Sequence, residues 1–239
     1  MTAAQDGAVL WLFADLTIAQ ADYMNSSYAV MIAGKSITLE LNGHTLTSAA
    51  DATVYVSGTG MLRVRNSRGG GAIQNNGNGH AVGVYGTFVM ESGALVSENG
   101  YALYNYNYQG TLYGTSTILS GSLTGYERGI ANCGVLTIHD AEIASTDEED
   151  GVDLDNSGHL TIAGTVEIKS LILKDGNHAP EVPGKGTLLL VSGADFKVTG
   201  QVVPYSTATI IIHAGATVDG IGVSAPGVYV YDGSAWAPQ

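Results

Sequence analysis

Thirteen tyrosines stand against three phenylalanines in this chain, and six of the thirteen fall between 101 and 126. Core packing alone does not ask for that ratio. Tyr104, Tyr106 and Tyr108 alternate with Asn105 and Asn107, so one face of a short extended segment would carry three phenol rings. If Leu103 and Asn105 follow the inward register of Ile130 and Asn132, those rings face solvent. Tyrosine gives a large rigid contact with a hydrogen-bonding tip at low entropic cost, a combination that binding surfaces use. Sugars present C–H faces to such rings. The candidate ligand-binding residues are therefore Tyr101, Tyr104, Tyr106, Tyr108, Tyr113 and Arg128, with Asn107 and Gln109 beside them. Packing of the same rings against a loop or a neighbouring subunit is the competing account.

A second group with chemical potential is acidic. Asp153-Leu154-Asp155-Asn156-Ser157-Gly158 fits the first half of a calcium loop, which makes Asp153 and Asp155 the metal candidates and Ca2+ their ion. The second half fails, because Gly164 holds the twelfth position where a bidentate Glu belongs. With Val152 and Leu154 inward, the two carboxylates would lie on one side of a strand, about 7 Å apart. Paired glycosidase carboxylates work at that separation, and Arg128 is the nearest base for a lyase. The stretch Asp147–Asp150 reads equally well as a solvated turn. No catalytic residue is assigned. The histidines at 44, 80, 139, 159, 178 and 213 form no pair at ligand spacing, and His139-Asp140 has no Ser or Cys nucleophile in a recognisable motif. Cys133 is the only cysteine, which excludes an internal disulfide, and it reads as a small buried residue.

The elements that would position these groups repeat. Gly60, Gly86, Gly110, Gly134, Gly158 and Gly186 follow at steps of 26, 24, 24, 24 and 28 residues. Two residues after each stand Leu62, Phe88, Leu112, Leu136, Leu160 and Leu188. Each repeat holds about three short apolar runs bounded by Gly, Asn, Asp or Ser, which are strand signals. A fixed period with one strand pattern per copy marks a solenoid. Parallel coils stack equivalent positions about 4.8 Å apart, so the leucines would form one internal ladder. The spacing predicts an all-β parallel β-helix of about eight to nine coils of ~24 residues, a single domain over 1–239. Residues 1–34 would supply a cap and first coil, 35–222 the repeated coils, and 223–239 a C-terminal cap. That cap reads as a β-hairpin turning at Asp232-Gly233. Val9–Phe13, with Trp11, would cover the first coil. Arg65 over Glu91 would pair adjacent coils, and Asn105 and Asn132 would join coil to coil through their amides.

Composition narrows the partners. Charged residues are 13% of the chain and the net charge is −13, from nine Lys+Arg against 22 Asp+Glu. Nucleic-acid binding needs clustered cations, and only Arg63, Arg65 and Arg68 lie close together. An anionic membrane would repel the chain, and no stretch approaches the roughly 18 apolar residues of a membrane span. No secretory leader is legible, since the run Ala8–Ala14 is seven residues long with no Lys or Arg before it.

The segment Ile37–Thr47 (ITLELNGHTLT) resembles the ITLDLNGHTIT entry coil of β-helix repeats in large surface proteins of gut Firmicutes. The units Gly134–Ile138 and Gly158–Ile162 resemble their GTLTI rungs, and Gly227–Trp236 is similar to their GTYTWDGSKW terminus. The resemblance spans nearly the whole chain. It implies a single-stranded, right-handed, pectate-lyase-like parallel β-helix on an adhesin-type protein at the cell surface or outside the cell. Similar rods occur in phage tail spikes and tail fibres, which would make the chain a virion part. None of these families carries a shared catalytic motif to transfer. The function expected is non-enzymatic: a binding or spacer module with a carbohydrate, such as a host-surface glycan, as ligand. A polysaccharide-cleaving lyase or glycoside hydrolase is the alternative.

Overall fold

A computed structural model describes residues 4–23, 27–108, 112–175, 182 and 184–239. Among these the chain is a parallel β-solenoid of about eight turns. The only helix described is the 3-10 turn Gln20–Asp22. Among the described residues no helix is long and apolar enough to cross a membrane. Strands fall in order onto three faces: an eleven-stranded sheet, a six-stranded sheet and a nine-stranded sheet. One full coil runs Met61–Arg65, Ala72–Asn75, His80–Val84, one strand on each face.

Alternation decides what is inside. In Met61–Arg65, Leu62 and Val64 point into the bore while Met61, Arg63 and Arg65 face out. Coil stacking then builds the internal column Ile37, Leu62, Phe88, Ser116, Leu136, Leu160, Leu188 and Ile210. A coil buries this face only against its neighbours, so the core exists as a stack or not at all.

One member of that column corrects the sequence reading. Leu112 does not enter it. Gly110 lies outside the described residues, and Leu112–Tyr113 pairs antiparallel with Asn107–Tyr108 as a small side hairpin. The rung starts instead at Gly114, so Ser116 occupies the place between Phe88 and Leu136. Ser116 is buried, and its hydroxyl donates to Asn105 Oδ1 at 3.1 Å. Small Ser116 beside bulky Phe88 keeps the column filled without an unsatisfied polar group.

The recurring glycine has a steric cause. The carbonyl of each glycine accepts the amide that opens the next rung: Thr87 on Gly60, Thr115 on Gly86, Val135 on Gly114, His159 on Gly134. A Cβ on Gly86, Gly134 or Gly158 would run into the carbonyl oxygen of the glycine one coil earlier. The corner therefore needs glycine for close backbone approach.

A buried amide ladder occupies the neighbouring corner, as the sequence reading expects. Asn105 Nδ2 donates to Asn132 Oδ1 at 2.8 Å, and Asn132 Nδ2 donates to Asn156 Oδ1 at 2.7 Å. Each amide also reaches a backbone carbonyl of its corner, Val135 and His159 in turn.

The ion pairs differ from expectation. Arg65 pairs with the buried Glu40 at 2.9 Å, while Arg63 takes Glu91. Both arginines face out, and the rung-to-rung register places Arg65 over Glu40.

The two ends also differ. The C-terminal hairpin joins Gly227–Tyr231 to Trp236–Pro238 and lies antiparallel on Thr209–Ile212. Its turn spans four residues rather than the Asp232-Gly233 pair, because Asp232 N–H bonds to Ala235 O and the Asp232 carboxylate accepts Ser234 N–H and Ala235 N–H. At the other end only Leu12 of the segment 9–13 belongs to the buried core. Val9 and Trp11 are about half exposed and Phe13 is 81% exposed, so they do not cover the first coil.

Candidate functional site

The nine-stranded sheet carries the tyrosines. Two of its strands, Tyr28–Ile32 and Tyr101–Asn105, share one burial pattern, in which the first and fourth residues face out and the others are buried. Leu103 and Asn105 are fully buried, which fixes Tyr101 and Tyr104 on the outer face. Register aligns Tyr28, the buried Ala52 and His80 in one column and Tyr101, Arg128 and Val152 in another, and the stacking of His80 on Tyr101 makes the two continuous. Met31, Tyr55, Gly83, Tyr104, Ala131 and Asp155 form the next.

These columns supply five rings, and Tyr85 and Tyr106, each just past the end of its strand, complete a strip of seven. Tyr28 stacks on Tyr55 with centroids 4.1 Å apart, and Tyr85 stacks on Tyr106 at 4.5 Å. Tyr55 meets Tyr85 edge-on at 5.8 Å, joining the two pairs. Tyr104 lies 3.8 Å from Tyr106, and His80 stacks on Tyr101 at 4.8 Å while meeting Tyr104 edge-on. Gly83 makes room: a Cβ there would sit 2.9 Å from Tyr106 Cε2 and 3.6 Å from Tyr55. The Tyr106 ring thus lies over bare backbone of the preceding coil. These rings are half-buried rather than freely exposed, since they pack on one another. Of the other candidates, Tyr113 stands opposite Asn107 in the side hairpin. The Tyr108 side chain and Gln109 lie outside the described residues, as does His178.

Burial keeps the strip neutral. Desolvation, with Tyr28 next to it, pushes the Tyr55 phenol up to about 12. Desolvation raises Tyr104 and Tyr106 further, and it also raises Tyr101, with the Glu127 carboxylate adding to the effect. Burial lowers His80 to about 4, only partly opposed by Asp51, and its buried Nδ1 has no hydrogen-bond partner. The strip is an uncharged patch on a chain of net charge −13.

His80 links this site to stability. Its folded-state value lies below the ordinary 6.5, so the unfolded chain binds more protons between pH 6.5 and about 4. Stability is whole above pH 6.5 and is lost as pH falls towards 4. At pH 4.5 the loss is roughly 2 to 3 kcal/mol. Urea denaturation at neutral pH and near pH 4.5 should show it in the wild type and not in His80→Phe. Equal pH dependence in both proteins refutes the assignment.

The strip ends on charge. Asp155 Oδ2 accepts Lys174 Nζ at 2.7 Å and lies 3.6 Å from Arg128 Nε. Arg128 Nη1 also donates to the Glu127 carbonyl at 2.7 Å. Arg128 follows Tyr101 in the outer column, so the sequence candidates Tyr101, Tyr104, Tyr106 and Arg128 do come together.

Asp153 and Asp155, in contrast, are sent to different partners. Val152 lies in the outer column with Tyr101 and Arg128, not inward, and Asp153 is buried at the corner. Its place is that of Ala29, Thr53, Ala81, Ala102 and Gly129 in the other coils, all small residues. The Asp153 carboxylate accepts N–H groups of Ser145, Lys169 and Ser170. Glu142–Ser145 is the last strand of the six-stranded sheet, and Thr165–Leu173 passes it without joining its ladder. Asp153 stitches that interruption by supplying acceptors that a neighbouring strand would have supplied. Among the described residues no three His, Cys, Asp or Glu side chains converge as metal ligands.

Tyr28, Tyr55, His80 and Tyr85 are the strip residues that sequence reasoning did not assign to the site. The signal available was positional: Tyr28, His80 and Tyr101 each open a five-residue strand whose first residue faces out. Comparison with protein-family models, with curated proteins and with solved structures gives no match to this chain.

Proposed function

We propose that this chain is a non-enzymatic binding module of a bacterial surface protein, working outside the cell, with a glycan as ligand. One observation carries the reading: seven aromatic rings from successive coils form a single neutral strip that ends against Arg128, Asp155 and Lys174. Each stacked pair hides one ring face, so the strip offers its remaining faces and a row of phenol hydroxyls. That mixture of apolar surface and hydrogen-bonding tips suits a saccharide, which has C–H patches between hydroxyls. The string Ile37–Thr47 and the Gly-x-Leu-Thr-Ile rungs, which resemble surface-protein repeats, support the location. The Asp153 carboxylate is taken up by backbone amides, which favours binding over glycosidic cleavage at that pair.

A glycan array with the wild-type chain tests the reading. Tyr104→Phe with Tyr106→Phe keeps the stacking and removes two hydroxyls. The double variant is expected to keep its thermal stability and lose at least about tenfold in affinity, some 1.4 kcal/mol. Alanine at these positions would confuse the result, because losing half-buried stacked rings costs about 1 to 3 kcal/mol of stability. No glycan bound, or unchanged affinity in the variant, rejects the strip as the site. New reducing ends or unsaturated products on incubation with pectins or capsular polysaccharides would replace binding by cleavage.

A further inference from the structure

Rung spacing gives the aromatic strip a length and a direction. Tyr28 opens the first strand of the nine-stranded sheet in chain order, and Lys174 follows the seventh, Thr165–Leu173. Six steps of about 4.8 Å separate them, so the strip with its charged end runs about 29 Å along the rod axis. Its contacts pass from rung to rung: Tyr28 to Tyr55, Tyr55 to Tyr85, Tyr85 to Tyr106 and Tyr106 to Tyr104. Beyond the rings they continue through Arg128 and Asp155 to Lys174. A single sugar covers one or two of these rings. An extended β-linked chain advances by nearly one rung per sugar, and about six sugars would cover the whole.

Charge decides which kind of chain. Arg128 and Lys174 both stand against Asp155, and the Glu127 carboxylate accepts the Tyr101 hydroxyl. Two cations and two carboxylates cancel, Asp175 follows Lys174, and Asp51 acts on His80. The face therefore carries no surplus of positive charge. Elsewhere Arg63, Arg65 and Lys197 are taken up by Glu91, Glu40 and Glu167, and the whole chain is at −13. A glycan bearing carboxylates or sulfates would be repelled at long range and would meet only cations already shared with a carboxylate. A hydroxyl, by contrast, can donate to Asp155 while accepting from Arg128 or Lys174.

We propose that the ligand is the interior of a neutral, extended β-linked polysaccharide lying along the rod axis, about one sugar per rung from Tyr28 to Lys174. This rests on the reading of the strip as a glycan site and narrows it. Uronate-, sialate- and sulfate-bearing chains are left out, and so is recognition of a single terminal sugar.

Isothermal titration with β-linked hexaoses of glucose, mannose and xylose, and with hexagalacturonate and polysialic acid, tests the assignment. At least one neutral hexaose should bind, at least about tenfold more tightly than its own disaccharide, with the same affinity at about 20 and about 500 mM NaCl. The acidic chains should bind at neither salt concentration. Tyr28→Phe and Tyr104→Phe lie three rungs apart. Each should weaken the hexaose at least about threefold, with circular dichroism showing both variants folded. Tighter binding of an acidic chain, equal affinity for disaccharide and hexaose, or a hexaose that senses Tyr104→Phe but not Tyr28→Phe would overturn the proposal while leaving the strip a glycan site of another class. Array hits with no neutral hexaose bound would do the same. Failure of every glycan, on the array and in titration, would overturn the glycan reading with it.

Discussion

Leu136→Asp is expected to yield no folded protein. Leu136 is fully buried, with Ser116 on one side of its column and Leu160 on the other. A carboxylate there finds no cation, and the neighbouring Ser116 hydroxyl is already given to Asn105 Oδ1; leaving such a group unpaired in an apolar bore costs far more than a domain's margin. A solenoid adds a second reason, because each coil's apolar face is covered by its neighbours and loss of one rung exposes two others. Circular dichroism should show no cooperative transition. Leu136→Ala is the graded version, at about 2 to 5 kcal/mol. Thr137→Asp is the control, since Thr137 faces outward in the same strand, and it should cost less than about 1 kcal/mol. A cooperatively folded Leu136→Asp protein would mean that the column does not fill the core.

Asn132→Ala should be the most damaging polar substitution, at about 3 to 5 kcal/mol in chemical denaturation. Its amide accepts from Asn105 and from the Gly134 N–H at 3.1 Å, and it donates to Asn156 and to the His159 carbonyl. Truncation strands the Gly134 N–H and the Asn156 oxygen in a corner closed to water, and each stranded group costs about 1 to 3 kcal/mol. Asn132→Asp separates shape from chemistry. It keeps the outline but turns a donor into an acceptor facing Asn156 Oδ1, so it should destabilise at least as much. If Asn132→Asp is tolerated, the three amides do not act as a connected ladder.

The solenoid was legible because stacking converts sequence period directly into neighbourhood. Leu136, Leu160 and Leu188 do lie in one column. The misreading at 110–114 has a physical origin. Gly110-x-Leu112 and Gly114-x-Ser116 are both a glycine followed by alternation, and the apolar residue made the wrong register look better. Only the buried partner of Ser116, Asn105 Oδ1, distinguishes them, and that contact joins residues eleven apart. The tyrosine alternation likewise identified one row of the strip. The other rows come from coils whose residues meet Tyr104 only after the chain has wound, as Tyr55 meets it through Tyr85 and Tyr106. Asp153 misled for a related reason. Local alternation puts it outside with Asp155, whereas the bend shared by the five-residue strands of its sheet turns the second residue into the corner.

The contact between successive glycine carbonyls and the rung above has a consequence for how such a chain can change length. Rungs are locked in register at that corner, yet the steps from Gly86 to Gly114 and from Gly114 to Gly134 are 28 and 20 residues. Residue count is thus free to drift in the turns while the vertical spacing is not. The side hairpin of Asn107–Tyr108 and Leu112–Tyr113 shows one such drift, added beside the aromatic strip without displacing a single ladder partner above or below it. New surface can accordingly be inserted between rungs like a page between bound covers, and the spine does not register the addition.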